Sequence, residues 1–460
     1  MVGRRDLVEA QAFSRRRLVT AFVSGAPGGR EVEAARPGRT VVGGAVLAVL
    51  LLAGGVASSV LAGRTAVDWD HPGLVISREL GQPYVITRRG LHPVVNITSA
   101  RLVLGSSVEP VIVPDRSIQE QTIGPAIGIV GAPATVPDRS DLVETGWSAC
   151  TAPHRGIRTY LAPTTPTTPA PEDGFVVQRG SDRWLVATSA AGTGAYRYLL
   201  PPSSAGVEDR FLGSVGLGAG HEAVRVPSAW LDLWPVGGAL SWKSFGIPGS
   251  AYGKAVSYAG EIHVPRGLVG DLVQVGDTGY LLGPDGPIRL TAFARAVYLA
   301  RPPRSGGPSI FHRPTMDRGA LVSPYAAARW PAGSLRPEGG ELCAVLRAKA
   351  GSRPEVALAS DPGELATADA VSVGVRDAEV APRSGAYVLS ADVADATPGL
   401  PYLVDLAGTS HLLEGAAADR LGYGGYAAPV VPGTWLKLFR PGAVLSPRRA
   451  RCAASQRDCR

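Results

Sequence analysis

One uncharged stretch, residues 40–63, stands out against a chain whose apolar residues otherwise come in short runs broken by charge, glycine and proline. It begins Val-Val-Gly-Gly-Ala-Val-Leu-Ala-Val-Leu-Leu-Leu at Val41 and continues through Val60 and Leu61. Its 24 residues exceed the roughly 20 that an α-helix needs to cross a bilayer. The pattern predicts a transmembrane helix to which Val41, Leu50, Leu51 and Leu61 belong. A cleaved signal peptide has a shorter apolar region close behind a basic start, whereas 39 residues precede this one, so the span is expected to be a retained anchor.

In those 39 residues, Val8, Ala12, Leu18, Ala21 and Phe22 recur at near-helical spacing around Arg15, Arg16 and Arg17. This predicts an amphipathic helix over residues 6–23, lying on the inner leaflet or against a partner, and broken by the glycines and proline of residues 25–29. Arg4, Arg5, Arg15, Arg16, Arg17, Arg30, Arg36 and Arg39 precede the span, and only Arg64 and Arg78 follow closely. Basic segments resist translocation, which keeps the N-terminus cytoplasmic. Over the immediate flanks alone the contrast is three arginines against two.

Beyond the span the pattern repeats. Four segments open on an aromatic-apolar-apolar triplet and end, after a turn, at an arginine among small and apolar residues. They run from Tyr84 to Arg101, from Trp184 to Arg210, from Tyr280 to Arg295 and from Tyr402 to Arg420, within residues 80–106, 181–215, 276–300 and 399–424. Each reads as a strand, a turn and a short helix. In the third, Gly283-Pro-Asp-Gly286 supplies the dihedrals of a tight reversal. In the first, Asn96-Ile-Thr98 has the form of a glycosylation acceptor, but its place at a turn-to-helix passage makes Asn96 a helix cap before Arg101.

A longer match follows the second and fourth segments, Val226-Pro-Ser-Ala-Trp-Leu-Asp-Leu against Val431-Pro-Gly-Thr-Trp-Leu-Lys-Leu. Gly237 and Gly442, then Leu240-Ser241 and Leu445-Ser446, stay in register. The chain therefore reads as two related halves. The 58 glycines and 39 prolines, spread throughout, favour short strands joined by turns. Residues 65–460 exceed what one core usually serves. A Pro/Thr-rich run at residues 162–171 reads as an exposed, extended loop.

All four cysteines, Cys150, Cys343, Cys452 and Cys459, follow the span, on the side that the orientation makes oxidising, so they are expected to form disulfides. Four cysteines allow three pairings. Cys452 and Cys459 can close a short loop and leave Cys150 for Cys343. Those two occupy equivalent places in the two halves, which predicts a bridge across a pseudo-two-fold axis. Metal ligation is disfavoured, because no Cys-x-x-Cys pair exists and no histidine sits beside a cysteine.

Candidate chemistry is sparse. Residues 248–255, Pro-Gly-Ser-Ala-Tyr-Gly-Lys-Ala, approach a phosphate-binding loop but lack its first glycine and its magnesium-binding hydroxyl. The glycine-rich run 213–220 lacks dinucleotide spacing and reads as a flexible loop, and His221-Glu222 lacks the second histidine of a zinc-protease helix. Neither a nucleophile elbow nor a matched Cys-His pair is apparent. No catalytic residue, cofactor or metal is therefore expected. The net charge of +7 lies largely in the basic start and interspersed surface arginines, without the stripe that nucleic-acid binding uses.

The stretch Leu91-His-Pro-Val-Val-Asn-Ile-Thr-Ser-Ala-Arg-Leu-Val-Leu-Gly105 closely resembles the first-repeat signature of the EccB family, the single-pass membrane component of actinobacterial type VII (ESX) secretion systems. Residues 4–23 are similar to that family's cytoplasmic start. The resemblance implies an α+β fold in which residues 1–39 are cytoplasmic, 40–63 span the inner membrane and 64–460 are periplasmic, with four small repeats around a central β-rich core at about 107–180 and 301–398. It implies that Cys150 and Cys343 occupy the family's disulfide positions. It also implies a structural subunit that assembles with EccC, EccD and EccE, contacts the mycosin protease and self-associates, supporting protein export. Relatives are often labelled ATPases, but ATP is a cytoplasmic fuel and every candidate loop here follows the anchor; the family's motor is EccC. Cell-wall binding is the other reading, because the family's repeats are similar to a phage-lysin wall-binding subunit. An extended interior in the second segment and the terminal cysteine pair depart from the family pattern.

Overall fold

A computed structural model describes residues 4–24 and 67–456, apart from 193, 203–204, 219–221, 338–339 and 392–398. The predicted span at residues 40–63, with Val41, Leu50, Leu51 and Leu61, lies outside the described residues. Among the described residues no helix is long and apolar enough to cross a membrane. The chain divides into two compact units, Met1–Val67 and Asp68–Arg460. Within the first, helix α1 (Arg4–Ser24) covers the segment that the apolar spacing marks as helical, and its Val8, Phe13, Leu18 and Val19 are exposed.

The second unit is a mixed α+β structure with several small sheets. Its first module contains β1 (Gly73–Ser77), β2 (Pro83–Thr87), β3 (Gly90–Pro93), α2 (Ile97–Leu104), β4 (Pro110–Val113) and α3 (Asp115–Gln119). Strands β1 to β3 form an antiparallel meander; α2 then crosses over and β4 lies parallel to β1. After α3 the chain returns parallel to β3, with Leu91 opposite Ile123 and Val94 opposite Ile127.

Next come β5 (Trp147–Thr151), β6 (Ile157–Leu161) and the two-residue β7 (Thr168–Pro169). The first-module connectivity then recurs in β8 (Asp173–Arg179), β9 (Asp182–Thr188), β10 (Ala195–Leu199), α4 (Ala205–Ser214), β11 (Val224–Arg225) and α5 (Ser228–Leu231). It recurs in β12 (Leu272–Val275), β13 (Thr278–Leu282), β14 (Pro287–Leu290), α6 (Ala292–Ala300) and β15 (Ile310–Arg313). Following β16 (Arg336–Pro337), β17 (Leu342–Arg347), β18 (Glu355–Ser360) and β19 (Arg376–Val380), it recurs once more in β20 (Ala386–Ala391), β21 (Leu400–Val404), β22 (Thr409–Leu412), α7 (Ala417–Arg420), β23 (Val430–Pro432), α8 (Gly433–Leu436) and β24 (Arg440–Pro441). Helix α9 (Pro447–Ala450) follows.

Each aromatic triplet lies on its module's middle antiparallel strand, and each marked arginine on its crossover helix. Two features exceed the sequence pattern. A further strand separates triplet from helix, and each sheet opens on a strand that lies wholly or largely before the segment starts at 80, 181, 276 and 399. Short parallel pairing is completed by residues far downstream, which local periodicity does not reveal.

Between the modules lies a six-stranded sheet in the order β19-β6-β5-β17-β18-β7. Its centre is the antiparallel pair β5·β17, in which Leu342 faces Thr151, Cys343 faces Cys150 and Ala344 faces Ala149. Every residue of β5 is buried, because alternate side chains enter different cores. Trp147 and Ala149 join Trp230, Trp234, Trp435 and Phe439 on one face. Cys150 packs with Tyr160, Val345 and Ala359 on the other.

The first and fourth modules share a core through Val85, Leu102, Leu403, Leu413 and Tyr423. The second and third share another through Leu185, Tyr198, Leu281 and Phe293, where Phe211 of α4 meets Phe293 of α6 edge-on at 6.0 Å. The Pro/Thr run is extended, but it is tied down: Thr165 donates to the Gly146 carbonyl at 2.8 Å, and β7 pairs with β18.

Candidate functional site

The most enclosed chemistry is the disulfide between Cys150 and Cys343, whose Cα atoms are 4.1 Å apart and whose side chains are fully buried. Directly opposed cross-strand positions bring two cysteines within bonding reach. The bridge joins residues 193 positions apart and so links the chain's two halves at the middle of the central sheet. Cys452 is also disulfide-bonded; Cys459 lies outside the described residues.

The marked aromatic residues do not converge on one place. Tyr84, Tyr280 and Tyr402 are half-buried on β2, β13 and β21. Trp184 on β9 has the guanidinium carbons of Arg179 and Arg197 at 5.5 and 5.3 Å from its ring centre. Both arginines also donate to Asp232 Oδ1, at 2.9 and 2.6 Å. Cation–π attraction and the shared carboxylate hold the indole at the junction with α5.

The arginines of the crossover helices separate into different roles. Arg420 on α7 donates to the carbonyls of Val103 and Leu104 at 3.4 and 3.1 Å, closing the C-terminal end of α2 in the first module. Arg101 is half-buried on α2, where Asn96 caps the helix by accepting from the Ser99 amide at 2.8 Å. Arg210 on α4 and Arg295 on α6 line one cleft of about 650 Å³.

Gly237 and Gly442, which the sequence match aligns, each meet a steric limit. At Gly442 a Cβ would lie 2.4 Å from the His411 ring, and at Gly237 one would lie 2.1 Å from the Tyr198 ring; both rings are fully buried. Only a residue without a side chain lets the backbone cross there. Ser241 and Ser446 then cap the turns that follow, accepting from the Lys243 and Arg449 amides.

His411 and Asp405 form a buried polar pair that sequence reasoning missed. Nδ1 of His411 donates to the Ala443 carbonyl at 2.9 Å, and Nε2 lies 3.0 Å from Asp405 Oδ2. Asp405 Oδ1 accepts from the Ala407 and Thr409 amides, each at 2.9 Å. Burial raises the Asp405 pKa, but the bonds from His411, Thr409 and Ala407 together outweigh it and hold the carboxyl below its ordinary value. A polar Asp and His on an otherwise apolar hairpin is the available signal, but only the fold pairs them.

The motif near-misses have local structural roles. Residues 248–255 contain a 3-10 turn, Gly249–Ala251, and the Gly253 amide bonds the Val269 carbonyl at 2.9 Å. In the glycine-rich run, Ser214 ends α4 and buried Leu217 anchors the exit, while residues 219–221 lie outside the described set. Among the described residues, no cluster of three or more His, Cys, Asp or Glu could hold a metal ion.

The architecture defines an α+β protein of several small sheets, with a disulfide at the middle of its six-stranded sheet. The family model for the Type VII secretion system ESX-1, transport TM domain B (EccB), matches residues 1–456, and the chain belongs to that family. It is similar to the ESX-1 secretion system ATPase EccB1 of Mycobacterium tuberculosis, 34% identical over 112 residues, covering 24% of this chain and 23% of that protein. To the ESX-3 secretion system ATPase EccB3 of the same species it is 27% identical over 268 residues, covering 52% of this chain and 47% of that protein. These matches thus span from about a quarter to about half of the relatives' length. Its fold is similar to a chain of an intact ESX-5 inner membrane complex, with TM-score 0.61, 21% identity and coverage of 100% of this chain and 97% of that one. It is likewise similar to an EccB3 dimer from the ESX-3 core complex, with TM-score 0.62, 22% identity and coverage of 83% and 100%.

Proposed function

We propose that the chain is a non-catalytic structural subunit of an ESX type VII secretion membrane complex. The observation that carries this reading is the family match over residues 1–456, on a fold whose second and fourth modules pack against one disulfide-bridged sheet and share cores with the third and first. In this reading residues 40–63 anchor the chain in the inner membrane, α1 lies on the cytoplasmic side with its exposed apolar residues against lipid or a partner, and residues 64–460 form a periplasmic scaffold. EccC, EccD, EccE and the mycosin protease are the partners, together with other copies of this chain.

A pseudo-two-fold axis through the Cys150–Cys343 pair organises that scaffold. Exchanging the halves carries the pair Ala344 and Ala149 onto Leu342 and Thr151, which is the register of β5·β17. It also carries the first and fourth modules' shared core onto that of the third and second. Rigidity is what such a scaffold contributes, because partners docked on different modules then keep fixed relative positions.

The test is removal of residues 65–460 in cells producing the rest of the complex, read by native electrophoresis and chemical crosslinking. Loss of the assembled complex and of export is expected. An intact, exporting complex would reject the scaffold, and retention of the purified chain on peptidoglycan alongside it would move the reading to cell-wall binding.

A further inference from the structure

The two halves use one motif in two ways. Asp419-Arg420-Leu-Gly422 on α7 and Asp209-Arg210-Phe-Leu-Gly213 on α4 are matched segments, and both helices cross over the sheet in the same topology. Arg420 is committed to the α2 carbonyls. Arg210 has no hydrogen-bond or ion-pair partner among the described residues, and neither does the side chain of Arg295 opposite it. Both open into the same cleft of about 650 Å³.

The rest of the lining adds to the positive potential. Thr291 and Ala292 bring the N-terminal turn of α6 to the cleft; this nine-residue helix presents the positive end of its dipole there. Asp277 is the single carboxylate in the lining. A guanidinium fork recognises oxygen anions through paired N–H donors. Two such forks and a helix start against one carboxylate leave the lining net positive. The volume falls in the range of about 300–1,000 Å³ typical of organic ligands, and Phe211, Leu290 and Leu299 supply apolar wall.

We infer that the cleft between α4 and α6 binds a phosphorylated small molecule or headgroup, with Arg210 and Arg295 holding its phosphate oxygens and the apolar wall receiving the organic part. The site is independent of the scaffold reading: assembly can fail without affecting ligand binding, and the reverse.

The full chain in uncharged detergent micelles is titrated calorimetrically with inorganic pyrophosphate and with ADP, and separately by co-sedimentation with vesicles containing phosphatidylglycerol. Saturable binding is expected, weakened at least tenfold in the variant carrying Arg210→Gln and Arg295→Gln. It is expected to be unchanged in a variant carrying Arg347→Gln and Arg353→Gln, which line a different cavity. Arginine-dependent binding of pyrophosphate or ADP identifies a soluble ligand, and arginine-dependent binding of vesicles alone identifies a lipid headgroup. Should the double variant unfold, the single exposed Arg210→Gln change is used and must weaken binding severalfold. Absence of binding to all three probes at millimolar concentration, or equal weakening by the two arginine pairs, overturns the assignment.

Discussion

Replacing Cys150 and Cys343 with alanine removes a crosslink between residues 193 positions apart. In the chain-entropy model a closed loop of that length restricts the unfolded chain by about 5 kcal/mol at 25 °C. β5 and β17 remain hydrogen-bonded neighbours without the bridge, so the effect falls on the unfolded chain, whose residual structure already limits its freedom and offsets part of the loss. A net loss of about 3–5 kcal/mol follows. Guanidinium unfolding of the full chain in micelles reads it, with tryptophan fluorescence as the probe because Trp147, Trp230 and Trp435 pack on the central sheet. The midpoint should fall while the folded-state spectrum is retained. The wild-type bridge, with both sulfurs fully buried, should resist reductant until the sheet opens. A midpoint change worth less than about 1 kcal/mol, or rapid reduction in the native state, would refute the view that this bridge locks the halves together.

Gly442→Ala should destabilise by about 1–3 kcal/mol through overpacking against the buried His411 ring, and thermal melts should show Gly237→Ala behaving alike. Gly124→Ala, whose Cβ would lie 2.5 Å from the half-buried His92 ring, should cost less because that ring has room to turn; equal costs at the three sites would contradict the steric account. Asp405 has a depressed pKa in the fold, so it stabilises above the ordinary carboxylate value of 3.8, and that share is lost as pH falls through the lower folded value. Asp405→Asn should lower stability near neutral pH by about 1–3 kcal/mol and flatten the decline below about pH 4, measured as melting temperature against pH; an unchanged acid limb would refute it.

Local pattern was enough to mark α1, the aromatic-led middle strands and the crossover helices with their arginines, because apolar spacing and turn chemistry act over a few residues. It was also enough to align Val226–Leu233 with Val431–Leu438, with glycines and capping serines in register, since a backbone that crosses a buried ring, as at Gly237 and Gly442, admits no side chain. Tertiary structure alone decided what those positions touch. The parallel strands β4, β11, β15 and β23 pair only after a helical crossover, and Asp405 meets His411 only once a hairpin closes. Arg420 and Arg210 share a motif, but a neighbouring helix end receives one while an open cleft surrounds the other. Short-range sequence specifies backbone preference and which face is apolar; the partner a side chain finds depends on residues hundreds of positions away, brought together by burial.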